Sequence, residues 1–152
     1  MAWTPHVTVA AVVERGGRFL LVEEEADGAV VLNQPAGHLE PGESLAQAAA
    51  REALEETGWP FRPTGVVGLY RWQAPDGRTY LRLAFCGELD DSGPRAPLDR
   101  GIRGTHWLTP GTLRAAAAGD GPVPLRSPLV LRAVEDYLAG RCWPLTLVVD
   151  VP

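Results

Sequence analysis

The stretch Ser44-Leu-Ala-Gln-Ala-Ala-Ala-Arg-Glu-Ala-Leu-Glu-Glu-Thr-Gly58 constrains this chain more than any other. Ser44 is a strong N-cap, Gln47 stands three residues on as its capping-box partner, and Gly58 supplies a left-handed stop. The sequence predicts a helix between them. At about 100° per residue, Glu52 and Glu56 fall about 40° apart, with Glu55 about 60° beyond Glu52, so three carboxylates share one edge. Ala46, Ala49, Ala50, Ala53 and Leu54 form the apolar arc beside them, and alanines let a helix approach a sheet closely. Like charges at these spacings cost roughly 0.2 to 0.5 kcal/mol per pair. From Glu43 to Gly58 there is no lysine, and Arg51 is the one local cation. A hard divalent cation would reverse the sign of that repulsion. The bland alternative is a solvated acidic face.

The rest of the chain reads as one domain, residues 1–152, of mixed elements. Thr8 to Val13 and Arg18 to Glu23 are β-rich runs around Gly16-Gly17, which predicts a hairpin. A short strand over Ala29 to Leu32 runs into Asn33-Gln-Pro-Ala-Gly-His-Leu-Glu-Pro-Gly42, a loop dense in Pro and Gly. Gly65 to Ala74 and Thr79 to Leu89 read as strands joined by a turn at Pro75-Asp-Gly-Arg78. Both are apolar on both faces, as expected of a sheet covered on each side by helices. Asp90 to Arg103 reads as loop and Thr105 to Leu108 as one more strand. Thr109 and Ser127 each precede a proline at a first helical position, predicting helices over Pro110 to Ala118 and Pro128 to Ala139. Leu145 to Val151 is a candidate edge strand. Without strict βα alternation, the expected class is α+β.

Charge and cysteine content narrow the function. Nineteen acidic against fourteen basic residues give a net charge of −5, the wrong sign for neutralising polymer nucleic acid. Small phosphorylated substrates remain, and an acidic protein handling them needs a metal ion between its carboxylates and the phosphate oxygens. Two cysteines, Cys86 and Cys142, exclude a disulfide-rich scaffold and favour a reducing compartment. No apolar run approaches about 20 residues, so no membrane span is expected and a cytoplasmic location is. The sequence leaves the oligomeric state open.

Gly37, Glu43, Arg51, Glu52, Glu55, Glu56 and Gly58 fit the pattern G-x5-E-x7-R-E-x-x-E-E-x-G, which resembles the signature of the Nudix hydrolases. A chance match at a given start is on the order of 10⁻⁸. Ala53 stands where that signature usually has a bulky aliphatic residue. His6-Val-Thr-Val-Ala10, Asn33 to Leu39, Trp72 with Ala74-Pro-Asp76, and Leu125 to Val130 extend the likeness to the NudJ-type branch over nearly the whole chain. The resemblance implies a mixed β-sheet sandwiched between α-helices and metal-dependent cleavage of organic di- and triphosphates. For that branch it implies release of phosphate from nucleoside di- and triphosphates and from the thiamine-precursor pyrimidine diphosphate.

The same resemblance implies that the Gly37 carbonyl and the carboxylates of Glu52, Glu55 and Glu56 hold Mg²⁺, with Mn²⁺ a possible substitute. It makes Arg51 and Glu43 a supporting pair that orients those glutamates. Gly101 stands roughly where many relatives place a glutamate base, so the base is open among Glu55, Glu52 and Asp99. Arg82, in an otherwise apolar strand, expects either a phosphate or a buried carboxylate. Tyr70 and Trp72 share a strand face and either stack on a substrate ring or fill the core. Gln34 and His38 flank the Gly37 loop as candidate hydrogen-bonding groups. Two further readings stay open: a nucleotide-sanitising pyrophosphatase, and a catalytically silent ligand-sensing domain.

Overall fold

The structure is a computed structural model that describes residues 2–152. Its strands are β1 (His6–Val12), β2 (Glu14–Arg15), β3 (Arg18–Ala26), β4 (Ala29–Asn33), β5 (Ala36–His38), β6 (Phe61–Gln73), β7 (Thr79–Leu89), β8 (Ile102–Leu108) and β9 (Trp143–Pro144). The helices are α1 (Leu45–Thr57), α2 (Pro110–Ala117) and α3 (Pro128–Leu138), followed by a 3-10 turn over Leu145–Leu147. The first sheet runs β5-β1-β7-β6-β9, and in the second β3 is flanked by β2 and β4 on one edge and by β8 on the other. This is the expected mixed α+β arrangement.

Alternation along the central strands explains the layering. Val9, Ala11, Val13, Leu83 and Phe85 face one way and pack with Ala48, Ala49 and Ala53 of α1. Ala10, Val12, Ala84 and Cys86 face the other way and pack with Val130, Ala133 and Val134 of α3. Buried on both faces, β1 and β7 lie parallel at the centre of the first sheet, from His6 beside Tyr80 to Val12 beside Cys86.

The α1 boundaries follow the caps foreseen. The Ser44 hydroxyl accepts from the Gln47 N–H, the Gln47 side chain answers the Ser44 N–H, and Gly58 ends the helix at φ 80°. The loop over residues 90–101 then covers that end. The Ala96 N–H donates to the Gly58 carbonyl, the Asp99 N–H to the Glu55 carbonyl, and Arg95 Nε to the Thr57 carbonyl.

A short strand, β5, forms inside the stretch read as a Pro- and Gly-rich loop, and β8 begins at Ile102 rather than Thr105. Three further expectations need correction. The Gly16-Gly17 turn joins β3 to the two-residue β2, not to β1, which pairs with β5 and β7. The edge strand near the C-terminus is Trp143–Pro144, paired to Val66 and Gly65, while Leu145–Leu147 forms the 3-10 turn. Leu54 is exposed, and Ala48 takes the buried position in its place. In each case sequence periodicity marked the segment but carried no information on the partner.

A Cβ at Gly58 would stand 2.5 Å from Arg95 Cγ and 2.6 Å from the Ala96 carbonyl oxygen, on a left-handed backbone. Gly58→Ala is therefore expected to lower unfolding free energy by about 2 kcal/mol or more. Urea denaturation measures it, and a loss under about 0.5 kcal/mol would show that this cap bears no strain.

Candidate active site

One guanidinium organises the acidic edge of α1. Arg51 donates from Nε and Nη2 to both oxygens of Glu43, each at 2.9 Å. Its Nη1 reaches Glu52 at 2.9 Å and Glu55 at 3.2 Å, and its Nη2 also donates to the His38 carbonyl at 3.0 Å. The bidentate bond holds the Glu43 carboxyl below its usual range and pushes Arg51 upward. Glu43 in turn accepts from the Glu40 N–H at 2.8 Å. The Pro- and Gly-rich loop is thereby tied to the helix, and β5 to both.

The neighbouring carboxylates are less comfortable. Burial raises Glu52 despite Arg51. Glu56 is pushed up to about 9, first by burial and then by the charges of Glu24 and Glu52. Its carboxyl accepts from the Ala36 N–H at 3.4 Å. Gly37 completes the corner: a Cβ there would stand 2.2 Å from the Glu52 carboxyl carbon, so a side chain would fill the space that carboxylate occupies. Among the described residues no three His, Cys, Asp or Glu side chains close on a common point: Glu52 and Glu55 bond to Arg51, while Glu56 bonds to Glu52 and to the Ala36 N–H. The donor set nonetheless fits a hard divalent cation, being oxygen throughout, crowded with negative charge and open at Gly37.

Beside Gly37 lies a cavity of about 490 Å³ between the two sheets. Its aromatic shelf crosses four strands on one face. Trp72 stacks on Tyr80 at 5.8 Å, Tyr80 meets His6 at 5.2 Å, and His6 meets His38 edge-on at 5.5 Å. Arg82 lies one alternation deeper, buried, with Nη1 donating to Asn33 Oδ1 at 3.4 Å. The opposite wall carries Glu24, which accepts from Arg126 at 3.2 Å and from Asn33 at 3.4 Å.

Arg82, Trp72 and His38 thus line the cavity. Two other candidates point elsewhere. The Tyr70 hydroxyl donates to Asp136 at 2.8 Å under α3, and burial together with that carboxylate pushes the phenol upward. Gln34 is buried, with Nε2 donating to the Val130 carbonyl at 2.8 Å. Asp99 is exposed, near α1 through its backbone N–H. Sequence reasoning missed Tyr80, His6, Glu24 and Arg126. For Tyr80 the signal was available: it precedes Arg82 by two in the same strand, so the two share a face.

The fold and this corner define a class of enzyme. Residues 4–126 match the NUDIX domain model, and the chain belongs to the Nudix family of hydrolases, which act on phosphorus anhydrides with a divalent metal. Among its relatives are the phosphatases NudJ of Escherichia coli strain K12 and of Shigella flexneri. Each is 42% identical over 146 residues, which cover 96% of this chain and 92% of the relative. The solved structure of a NUDIX hydrolase from Nitrosomonas europaea superposes with a TM-score of 0.90 at 46% identity, covering 97% of this chain and 98% of that one. A UDP-X diphosphatase shares the fold at a TM-score of 0.71 and 17% identity, covering 93% of this chain and 66% of that one. No helix among the described residues is long and apolar enough to cross a membrane.

The buried Glu56 sets a pH dependence for the metal-free protein. Its folded carboxyl keeps a proton up to about pH 9, whereas its ordinary value is 4.5. Between those values the folded state holds a proton the unfolded state has released, so stability must fall as pH rises. Thermal melts of chelator-treated protein should show Tm decreasing across this window, and Glu56→Gln should flatten the slope. An unchanged slope in the variant would remove Glu56 as its source.

Proposed function

We propose that the chain, acting as one catalytic domain in the cytoplasm, is a Mg²⁺-dependent phosphatase of small organic di- and triphosphates, with Mn²⁺ able to replace Mg²⁺. The substrates in view are nucleoside di- and triphosphates and the thiamine-precursor pyrimidine diphosphate, with release of phosphate. The observation that carries this reading is Gly37, which lines a cavity offering both cations and an aromatic shelf and packs directly against the carboxyl of Glu52 on the acidic edge of α1. The phosphatase names of the NudJ relatives support it.

In this reading the Gly37 carbonyl, Glu52, Glu55 and Glu56 hold the metal. When bound, the metal neutralises phosphate charge and lowers the pKa of a coordinated water. Arg51 and Glu43 are positioning residues: with Glu43 taking both sides of the guanidinium, Arg51 keeps Glu52 and Glu55 on one edge. Glu55, whose side chain is 37% exposed, is the base that accepts the water proton, with Glu52 second and the exposed Asp99 weaker. Trp72 and His38 belong to the shelf that receives the organic group, and Arg82 meets phosphate. Gln34 and Tyr70 serve by shaping the walls and do not touch substrate.

Purified protein should hydrolyse members of a di- and triphosphate panel only with Mg²⁺ or Mn²⁺, with phosphate and pyrophosphate followed separately. Pyrophosphate as the sole product would instead favour a sanitising pyrophosphatase. Ligand-dependent melting shifts with no product would mark a silent sensor. Glu55→Gln should lower kcat by roughly 10²- to 10⁴-fold, the usual worth of a general base, while leaving Tm nearly unchanged. Parental turnover would remove Glu55 from the base role. Gly37→Ala displaces only the end of a flexible glutamate side chain, so it should fold normally yet bind Mn²⁺ at least about tenfold more weakly by calorimetry.

A further inference from the structure

Two buried polar groups on the cavity floor lack partners. Thr8 on β1 and Arg82 on β7 stand beside each other in register, and both line the cavity. Thr8 is 3% exposed and Arg82 8%. The Thr8 hydroxyl and Arg82 Nε make no hydrogen bond among the described residues. The guanidinium is held by Asn33 through Nη1 alone, and burial lowers its pKa to about 10. The charge of Arg126 lowers it further, and that of Glu24 opposes this from a distance. A buried guanidinium with an unbonded Nε and a buried hydroxyl with no partner each carry a desolvation cost that a ligand can remove. The guanidinium calls for a negatively charged acceptor and the hydroxyl for any acceptor, and an anion arriving from the cavity would satisfy both.

We propose that Thr8 and Arg82 form an anion well that takes a phosphate oxygen of the substrate. The proposal rests on the phosphatase reading and deepens it by naming a second contact for the phosphate chain. Gly37 on β5 pairs with Val9 on β1, and β1 pairs with β7. Two strand spacings, about 10 Å, therefore separate the strand of the metal corner from that of Arg82. A substrate held at the metal corner with its phosphate chain turned round the β5 edge into the cavity would present a second phosphate to this well. A monophosphate engages one end at a time, so the well favours substrates with at least two phosphates and lets the monophosphate product leave.

The test uses inorganic phosphate, with acetate at equal ionic strength, on the chelator-treated full chain. Phosphate at a large excess over its Kd should raise Tm by several degrees, while acetate should not. Thr8→Val keeps the side-chain volume and removes the orphan hydroxyl, and Arg82→Met removes the buried charge. Without phosphate both variants should melt at or above the parent, and both should lose most of the phosphate shift. With metal and a diphosphate substrate, Arg82→Met should raise KM roughly 10- to 100-fold, the worth of a hydrogen bond to a charged group, with kcat changed far less. Absence of a phosphate shift in the parent would overturn the proposal. So would a full shift in both variants, which would place phosphate on exposed arginines, or an equal shift with acetate, which would make the well a carboxylate site. Should Arg82→Met fail to fold, Thr8→Val decides alone. If no substrate turns over, the metal-free phosphate shift still tests the well. An unchanged KM in a folded Arg82→Met enzyme overturns the well and leaves the phosphatase reading standing.

Discussion

The bonds of Arg51 hold the functional end of this molecule in one piece. A single guanidinium meets the loop at Glu43, the helix at Glu52 and Glu55, and the β5 strand at the His38 carbonyl. Each partner alone is a partly exposed ion pair of small worth. Their joint effect is geometric, because three separate segments cannot shift independently while one planar fork satisfies all of them. The acidic edge of α1 keeps its position against Gly37 through that fork, although its carboxylates repel one another.

Charge is divided across the first sheet. On the α1 side stand Glu52, Glu55 and Glu56. On the other side the cavity carries Arg82 and Arg126, with Glu24 between them. The two territories meet at β5, where Gly37 has no side chain to separate them. Negative charge on one side suits a cation, and positive charge on the other suits a phosphate. In the proposed function a metal phosphate complex would span both, which would let an acidic protein accept an acidic substrate.

Local structure was readable where the physics is local. Ser44, Gln47 and Gly58 define α1 through contacts with their own neighbours, and the strand Thr79–Leu89 has the limits its apolar run indicates. Partner choice was not readable. Gly16-Gly17 marks a turn in sequence, but only the tertiary structure shows that β1 leaves that hairpin to run parallel with β7. The site divides in the same way. The acidic residues fall within one helix and were visible together, whereas the aromatic shelf comes from four strands far apart in the chain. Tyr70 shows the limit of period-two reasoning: it shares a face with Trp72, yet Asp136 of α3 claims its hydroxyl. A side chain's face follows from its strand, but its companion follows from whatever packs on that face.

The covering of the α1 C-terminus has a consequence for tuning. The segment from 90 to 101 lends backbone N–H groups to the last carbonyls of the acidic helix, yet among the described residues none of its side chains lines the cavity. A change in that surface segment acts on the helix end through these bonds, and so on all the carboxylates of α1 together, with no acid replaced. Such a segment offers leverage on the acidic edge from a stretch of chain outside the cavity lining.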